Sequence, residues 1–372
     1  MSRAIPNRPP GASSLDVRMA TMRAPRRMLV GVLRMRRSLR TMRSRLGPVN
    51  ADIIERTLAV AEARALGIAA ELDIAEIVER EPRTATSIAA NLQVDADALE
   101  RLLELLASTG CFRRDNTGRW HNTRVSATLC ADHPLSMRDW ARFFGGGPMT
   151  RIWAAADEAI RTGDGVTREV MGAEFFEWTR LDPEAGSRFD GAMREASRFL
   201  GRSIATAVDF GEAAVVCDVG GGTGAVLAEI VQRHPSVRGV LFDLPHVVTS
   251  ATPMERVEVV GGSFFEAVPT ADRHVLVSVV HDWDDERAQS ILEQCRKALA
   301  PGGRVLVVEQ VLDPDRAPLF ERATDFLMLV LTGAGRERTD SQFRGLFAAA
   351  GLTVTRTWHL PTLHGVYELA PT

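Results

Sequence analysis

The sequence predicts an α/β protein in which a mostly parallel sheet follows a smaller helical domain. Three observations support this fold class. The chain has 372 residues, a length that favours two domains over one. From Ala213 onward, strand-like apolar runs alternate with helical patterns, which is typical of a parallel sheet with both faces covered. Before about residue 205, nearly all of the patterns are helical.

These patterns divide the chain into four segments: a basic extension at 1–47, a winged-helix domain at 48–132, a helical region at 133–205 and a sheet domain at 206–372. The basic extension contains twelve arginines and one acidic residue, Asp16. Three interpretations of it remain open. It can be an amphipathic helix that makes a peripheral contact with an anionic membrane, an organelle-targeting segment, or a helix packed on a partner subunit.

Composition excludes several classes of protein. The net charge of −3 gives no overall attraction to nucleic acid. The cysteines Cys111, Cys130, Cys217 and Cys295 are scattered without the spacing of a zinc site or a disulfide framework. No apolar run approaches the roughly 20 residues of a membrane span. We therefore expect a metal-free protein of the reducing cytoplasm.

The segment from 84 to 123 has the pattern of a winged helix. Thr86 or Ser87 can begin a short helix, and Asp95 or Asp97 can begin a second one with an apolar stripe of leucines. Residues 111–123, with "DNTG" at their centre, predict a β-hairpin.

The charge of this winged helix argues against DNA binding. In a DNA-binding version, the second helix enters the major groove. Here that helix carries Asp95, Asp97, Glu100 and Glu104 against Arg101 alone, so it would repel phosphates. We predict no nucleic-acid partner.

The helical region at 133–205 is rich in aromatic residues. Such residues form either an ordinary core or the lining of a shared pocket, and the sequence leaves both alternatives open. "GGG" at Gly145–Gly147 marks a place where the chain can turn. The aromatic residues of this region are Trp140, Phe143, Phe144, Trp153, Phe175, Phe176, Trp178, Phe189 and Phe199.

The stretch "VVCDVGGGTGAVLAEI" predicts a strand, a tight turn and a helix N-terminus. The spacing of Gly220, Gly222 and Ala225 satisfies the dinucleotide fingerprint, and S-adenosylmethionine (SAM) uses a similar turn. This stretch alone does not choose between a nicotinamide cofactor and SAM.

In an open parallel sheet, the ligand lies beyond the carboxyl ends of the strands. We predict strands at 215–219, 238–243, 257–261, 274–280 and 304–311, and their ends carry Asp218, Asp243, Ser263 with Phe264, His281 and Glu309. The end of the chain, "GLTVTRTWHLPTLHGVYELAP", predicts a hairpin that adds one antiparallel strand to the sheet. A standard dehydrogenase half lacks this feature.

The motifs "DVGGGTG", "FDLPHV", "GGSFFEAVP", "HDWDDERAQSILEQCRKALAPGGRVLVVE" and "GRERT" together resemble the SAM-dependent O-methyltransferases of small molecules. This family includes caffeate-type plant enzymes and bacterial enzymes that methylate polyketides, phenazines and carotenoid alcohols. The resemblance runs from about residue 50 to the end of the chain. It implies a Rossmann-like SAM-binding domain with a terminal antiparallel hairpin, preceded by a winged-helix dimerisation domain.

The resemblance also implies roles for individual residues. The glycine turn with Asp218 would hold the methionine part of SAM, Asp243 with Leu244 the ribose, and Ser263 with Phe264 the adenine. His281 would be the general base, flanked by Glu309 and Glu337. Acceptor-binding positions would be Phe189, Met193 and Met328, and the glycines of the turn would be Gly220, Gly222 and Gly224. The aromatic pattern of residues 133–205, and not the resemblance, adds Phe143, Phe144, Trp153 and Phe176 as acceptor-binding candidates.

The chemistry agrees with this implied reaction. An imidazole with a pKa of about 6.5 can take the proton of a hydroxyl at neutral pH, and a carboxylate on its other nitrogen stabilises the imidazolium. We predict a SAM-dependent O-methyltransferase of secondary metabolism that acts on a small, aromatic or apolar hydroxylated acceptor. The alternatives are a non-catalytic member that binds SAM or a metabolite, and a nicotinamide-dependent oxidoreductase. The apolar helices of residues 52–78 further predict a homodimer.

Overall fold

The structure is a computed structural model that describes residue 35 and residues 48–314, 319–362 and 364–372. The basic extension, and with it the predicted membrane contact, lies outside these residues except for Met35. The chain divides into two compact units, Met1–Thr150 and Arg151–Thr372, so the division falls inside the helical region at 133–205. None of the described helices has the length and apolar character that crossing a bilayer requires.

The first unit contains the predicted helix, turn, helix and hairpin. Its elements are α1 (Val49–Glu71), α2 (Ile74–Arg80), α3 (Ala85–Leu92), α4 (Ala96–Ser108), β1 (Phe112–Arg114), β2 (Trp120–Asn122) and α5 (Arg138–Phe144), and α6 (Gly147–Ala154) spans the division. β1 and β2 pair antiparallel, as the hairpin requires. The buried leucines of α4 pack in one core with α3 and the hairpin.

Side-chain caps decide where the two short helices of this unit begin. Asp95 caps α4 by accepting a hydrogen bond from Ala98 N at 2.8 Å, as predicted. The prediction for α3 was wrong by about two residues. Thr84, and not Thr86 or Ser87, is the cap, and its hydroxyl accepts from Ser87 N at 3.3 Å.

The second unit alternates helices and strands after an all-helical start. Its elements are α7 (Ala156–Thr162), α8 (Thr167–Met171), α9 (Phe175–Leu181), α10 (Pro183–Ala207), β3 (Val215–Val219), α11 (Ala225–Arg233), β4 (Arg238–Asp243), α12 (Pro245–Val248), β5 (Val257–Gly261), β6 (Ala271–Val277), α13 (Asp285–Lys297), β7 (Leu299–Leu312), α14 (Leu319–Thr332), β8 (Arg338–Thr339), α15 (Asp340–Ala349), β9 (Leu352–His359) and β10 (His364–Pro371).

The main sheet has the order β5-β4-β3-β6-β7-β10-β9, and β8 pairs with β7. The strands from β3 to β7 are parallel to their neighbours, whereas β10 runs antiparallel to both β7 and β9. The predicted mostly parallel sheet with one antiparallel strand is therefore confirmed. Because the parallel strands end at one edge, the side chains that follow them collect there.

The predicted bounds match for β3, β4 and β5, but differ for the next two strands. β6 ends at Val277, three residues earlier than predicted, because Ser278 adopts a positive φ of 53° and turns the chain into a 3-10 helix at Val280–Asp282. β7 starts at Leu299, which pairs with Ala271 before a register shift in β6. The early end of β6 places His281 on a turn and not on a strand.

The sheet separates two apolar cores, and β7 contributes to both. Val305 and Val307 pack on the face covered by α13 and α15, while Leu306 and Val308 pack on the face covered by α10 and α11. Since side chains alternate along a strand, Glu309 lies on the same face as Val305 and Val307. Gln310, the next residue, lies on the same face as Leu306 and Val308.

Candidate active site

His281 lies on the turn after β6, and a carboxylate from the end of β7 fixes that turn. Glu309 Oε1 accepts hydrogen bonds from Val279 N at 3.0 Å and from Val280 N at 2.8 Å. Glu309 is fully buried, so the two amides have no competing water. The position of the imidazole therefore depends directly on the end of the neighbouring strand.

A second carboxylate orients the imidazole. His281 Nδ1 lies 3.0 Å from Glu337 Oε1, and Glu309 Oε2 is 3.7 Å from the same nitrogen. Because a carboxylate accepts, Nδ1 carries the proton, and Nε2 is the nitrogen that can receive another. Asp282 Oδ1 lies 3.5 Å from Nε2. The predicted group of His281, Glu309 and Glu337 is thus together in one largely buried cluster.

Backbone contacts join the Glu337 segment to the turn that carries His281. Arg336 N donates to His281 O at 2.7 Å, and Glu337 N donates to Asp325 Oδ1 at 3.0 Å. A Cβ at Gly335 would lie 2.9 Å from His281 O, so the close approach of the two segments requires glycine there. The two segments are held at a fixed separation.

Arg338 is a supporting residue that the sequence analysis missed. Its buried guanidinium donates to Val280 O at 3.0 Å and to Trp283 O at 2.8 Å, and it pairs with Asp285. The motif "GRERT" contains it, but the motif alone does not show that its charge satisfies the carbonyls on both sides of His281. Without this cation, Trp283 O would lose the hydrogen bond that the guanidinium donates, and Val280 O would keep the longer one from Trp283 N at 3.4 Å.

The electrostatics of the cluster favour a proton on the imidazole. Burial alone would lower the pKa of His281, but Glu309, Glu337 and Asp282 outweigh it and hold that pKa well above its usual value. Burial raises the pKa of Glu309 to about 7 against the opposing effect of His281, and it raises the pKa of Asp282 to about 6. The cluster therefore stabilises an imidazolium.

The glycine turn after β3 has a backbone conformation that favours glycine. Gly220, Gly222 and Gly224 have φ values of 69°, 58° and 86°, which side chains rarely adopt. A Cβ at Gly220 would lie 2.9 Å from Val279 Cγ2, whereas a Cβ at Gly222 would meet nothing within 4 Å. Free space therefore lies beside the backbone at Gly222, which suits a ligand bound through backbone groups.

The carboxylates of Asp243 and Asp218 lie beside the glycine turn. Asp243 Oδ2 accepts from Gly222 N at 2.8 Å and Oδ1 accepts from Leu244 N at 2.7 Å. Burial raises the pKa of Asp243, and these two hydrogen bonds oppose it. Burial raises the pKa of Asp218 to about 7, and its Oδ2 has no hydrogen-bond partner among the described residues. An unpaired buried oxygen beside an open turn fits a polar ligand that donates hydrogen bonds there.

Of the two predicted adenine positions, Phe264 lies beside the same turn, and Ser263 precedes it in the chain. Phe264 Cε1 would be 3.6 Å from a Cβ at Gly220, and Ser263 Oγ accepts from Phe265 N at 3.3 Å. Phe264 also packs at 6.0 Å on Trp283, and the buried Nε1 of Trp283 has no hydrogen-bond partner in the described part of the chain. Sequence reasoning missed Trp283, although it stands two residues after His281.

The structure brings several of the predicted acceptor-binding residues together. Phe176 stacks on Trp283 with ring centroids 5.8 Å apart and planes 21° apart, and Phe189 lies 6.3 Å from Phe176. Met193 is one helical turn beyond Phe189 in α10. The aromatic residues therefore extend from α9 and α10 to the turn that carries His281.

The remaining acceptor-binding candidates lie elsewhere. Trp153 packs against Phe326 at 5.8 Å, and the buried Met328 follows on the same helix, α14. Phe143 and Phe144 belong to the first unit, where their rings pack at 5.1 Å at the end of α5. These two are not brought together with the others within one unit.

A further missed residue, Asp190, lies between Phe189 and Met193 on α10. Burial, with a contribution from the nearby Asp243, raises the pKa of Asp190 to about 6. Its position one residue after a predicted pocket aromatic was the signal available in the sequence.

The order of the sheet, its antiparallel last strand and the glycine turn define a methyltransferase of the Rossmann-like class. The chain matches the O-methyltransferase domain over residues 153–353 and the O-methyltransferase dimerisation domain over residues 55–132. It belongs to the family of SAM-dependent O-methyltransferases. The expected family is confirmed, and with it the helical dimerisation domain and the use of SAM.

Individual relatives agree with this assignment. The chain is 35% identical to the phenazine O-methyltransferase of Lysobacter antibioticus over 82% of its own length and 90% of the relative. It is also 35% identical to the mitomycin biosynthesis 6-O-methyltransferase of Streptomyces lavendulae, over 80% and 87%. The structure of human N-acetylserotonin methyltransferase in complex with SAM superimposes with a TM-score of 0.82 at 26% identity, covering 87% of this chain and 98% of that one.

Proposed function

We propose that this O-methyltransferase methylates a phenolic hydroxyl of a flat aromatic metabolite, with His281 as the general base. The observation that supports it best is the buried hydrogen bond between His281 Nδ1 and Glu337 Oε1. It fixes the tautomer in which Nε2 can accept a proton. A panel of phenols, naphthols and hydroxyanthraquinones tested with labelled SAM would reveal the acceptor class, and a failure to methylate any of them would argue for a non-catalytic protein.

In this proposal each residue has a defined task. When bound, SAM supplies an electrophilic methyl group on a positively charged sulfur. His281 Nε2 takes the proton of the hydroxyl, so that the oxygen becomes a competent nucleophile. Glu337 and Glu309 stabilise the imidazolium that results. Methylation of this kind needs no metal, and we expect activity to survive EDTA even though the three side chains offer ligand atoms within 4.8 Å of one another.

The SAM-binding residues are part of the proposal. The open glycine turn would hold the methionine part, assisted by the unpaired Asp218. Asp243 is the acid at the end of the second parallel strand and would accept hydrogen bonds from both ribose hydroxyls. The exposed Leu244, with Ser263 and Phe264, would contact the ribose and adenine. The three glycines of the turn are Gly220, Gly222 and Gly224.

A flat acceptor fits the aromatic residues near the catalytic turn. Phe176, Phe189 and Trp283 offer ring faces and edges on which a planar molecule can stack. Met193, Met328 and Trp153 would extend this lining, and we include Phe143 and Phe144 as further acceptor-binding candidates. The two bacterial relatives that act on phenazine and in mitomycin biosynthesis support an acceptor of this kind.

The rate is expected to rise with pH through the ionisation of His281. His281 must be neutral to accept a proton, and its carboxylate neighbours hold its pKa above about 6.5. Activity should therefore be lost as the pH falls through a midpoint above 6.5. In Glu337→Gln, one negative charge is lost and the midpoint should move to lower pH. Profiles of kcat against pH check this, and an unchanged midpoint would contradict the assignment.

We also expect a homodimer. Four large apolar side chains on α1 are more than half exposed within the single chain, and this helix lies in the matched dimerisation domain. Light scattering at micromolar concentration should give twice the mass of one chain, and Leu58→Glu should weaken the association. A monomeric unmodified protein would refute the expectation. The four side chains are Ile53, Ile54, Leu58 and Val60.

The cytoplasmic location expected from the sequence also remains a proposal. All four cysteines are buried free thiols, which supports a reducing compartment.

A further inference from the structure

Two polar side chains at the active-site edge of the sheet have no role in the proposed mechanism. Gln310 follows Glu309 in β7, and its cross-strand partner in β10 is His364. Because side chains alternate along a strand, Gln310 and His364 share the face opposite to Glu309. Directly paired residues have Cβ atoms roughly 5 Å apart, so one ligand group can contact both side chains.

Gln310 is buried without full use of its hydrogen-bonding capacity. The residue is only 7% exposed, and none of the described residues supplies a hydrogen-bond partner for its Oε1. Buried carboxamide oxygens are nearly always paired, so an unpaired one calls for a partner. A ligand that donates a hydrogen bond would supply it.

His364 offers a second acceptor on the same face. Its Nδ1 lies 3.0 Å from Thr362 O. A carbonyl oxygen only accepts, so Nδ1 carries the proton and Nε2 keeps its lone pair. Burial lowers the pKa of His364, and the ring is therefore neutral at physiological pH. The pair thus offers two acceptors, Gln310 Oε1 and His364 Nε2.

The pair lies close to the catalytic cluster. Glu309, the residue before Gln310, holds the turn of His281. On the other strand, His364 is near enough to Glu337 and His281 for their charges to act on it. The pair therefore lies at the same edge of the sheet as the turn that carries His281.

We propose that Gln310 and His364 form a recognition site for a second hydrogen-bond donor on the acceptor, such as a further phenolic hydroxyl or an aromatic amine. This inference rests on the proposed function, because it requires an aromatic acceptor at His281.

The test uses matched pairs of acceptors that differ by one group: naphthols against naphthalenediols, and naphthols against aminonaphthols. The unmodified enzyme should favour the member with the extra donor by about tenfold in kcat/KM. In Gln310→Met and in His364→Phe this ratio should fall towards one, mainly through a raised KM. Titration of the same compounds into enzyme saturated with S-adenosylhomocysteine should show the same loss of preference without turnover.

Two controls separate recognition from packing. Gln232→Met changes an exposed glutamine on α11 and should leave the preference intact. Gln310→Met replaces a carboxamide, whose Oε1 has no partner among the described residues, with an apolar group of similar size, so its Tm should be equal to or above that of the unmodified enzyme. A lower Tm with an unchanged preference would identify a packing role and overturn the proposal.

The remaining outcomes separate a failure of the proposed aromatic acceptor from a failure of the recognition site alone. If no compound of any pair is bound or methylated, the proposed aromatic acceptor is wrong, and this inference fails with it. If both members of the pairs are methylated equally well, or if the preference survives in both variants, only the recognition site is wrong.

Discussion

The variant His281→Ala is expected to lose roughly 10²–10⁴-fold in kcat while it binds S-adenosylhomocysteine as tightly as the unmodified enzyme. The loss follows from the removal of Nε2, the nitrogen left available by the Nδ1 hydrogen bond to Glu337. SAM affinity should not change, because the proposed SAM-binding groups lie on the glycine turn and after β4 and β5. Steady-state kinetics with the best acceptor of the panel, together with calorimetry, measure the two quantities.

The two carboxylates beside His281 should differ in their effects. Glu337→Gln removes the charge at the hydrogen-bonded position, 3.0 Å from Nδ1, and should lower kcat strongly. Glu309→Gln removes a charge 3.7 Å away but keeps an oxygen that can accept from the turn, so its effect should be smaller. Glu286→Gln, an exposed position on α13, serves as the control. Equal rates in all three variants would show that neither carboxylate assists the imidazole.

Asp243→Ala is expected to weaken SAM binding by at least about 100-fold. Two charge-assisted hydrogen bonds to the ribose would be lost, each worth about 1.5–3 kcal/mol. The acceptor of Gly222 N would disappear as well, which loosens the glycine turn. Calorimetric titration with S-adenosylhomocysteine gives the change in Kd directly.

Controls keep this second prediction specific. Asp243→Asn preserves shape and should show a smaller loss, whereas Glu258→Ala, an exposed acid on β5, should show none. A Kd in Asp243→Ala equal to that of the unmodified enzyme would remove Asp243 from the ribose site. Tight binding of NAD instead of S-adenosylhomocysteine by the unmodified chain would contradict the use of SAM as a whole.

Much of the fold was predictable because its signals are local. Asp95 begins α4 through its own side chain, and alternation between strand and helix patterns gave the parallel sheet. The end of β6 was missed because it depends on the positive φ of Ser278. A serine in the sequence does not indicate that conformation. Strand ends are therefore least predictable where the chain turns towards the site.

The candidate site was predictable in its members but not in their arrangement. The motifs gave His281, Glu309 and Glu337 as one group, but only the structure shows that Glu337 orients the ring while Glu309 holds the turn. The support from Arg338 was missed because it arises from contacts between segments more than fifty residues apart. Sequence motifs record which residues are present, and long-range hydrogen bonds decide what each of them does.

A single-turnover experiment tests whether His281 removes the proton of the acceptor. Excess enzyme, labelled SAM and a saturating concentration of the best acceptor give the rate of methyl transfer without product release. If His281 is the general base, this rate should fall at least about 100-fold in His281→Ala, with S-adenosylhomocysteine affinity unchanged. A fall of less than about fivefold, with normal affinity, would contradict it and leave positioning of the reactants as the source of the rate.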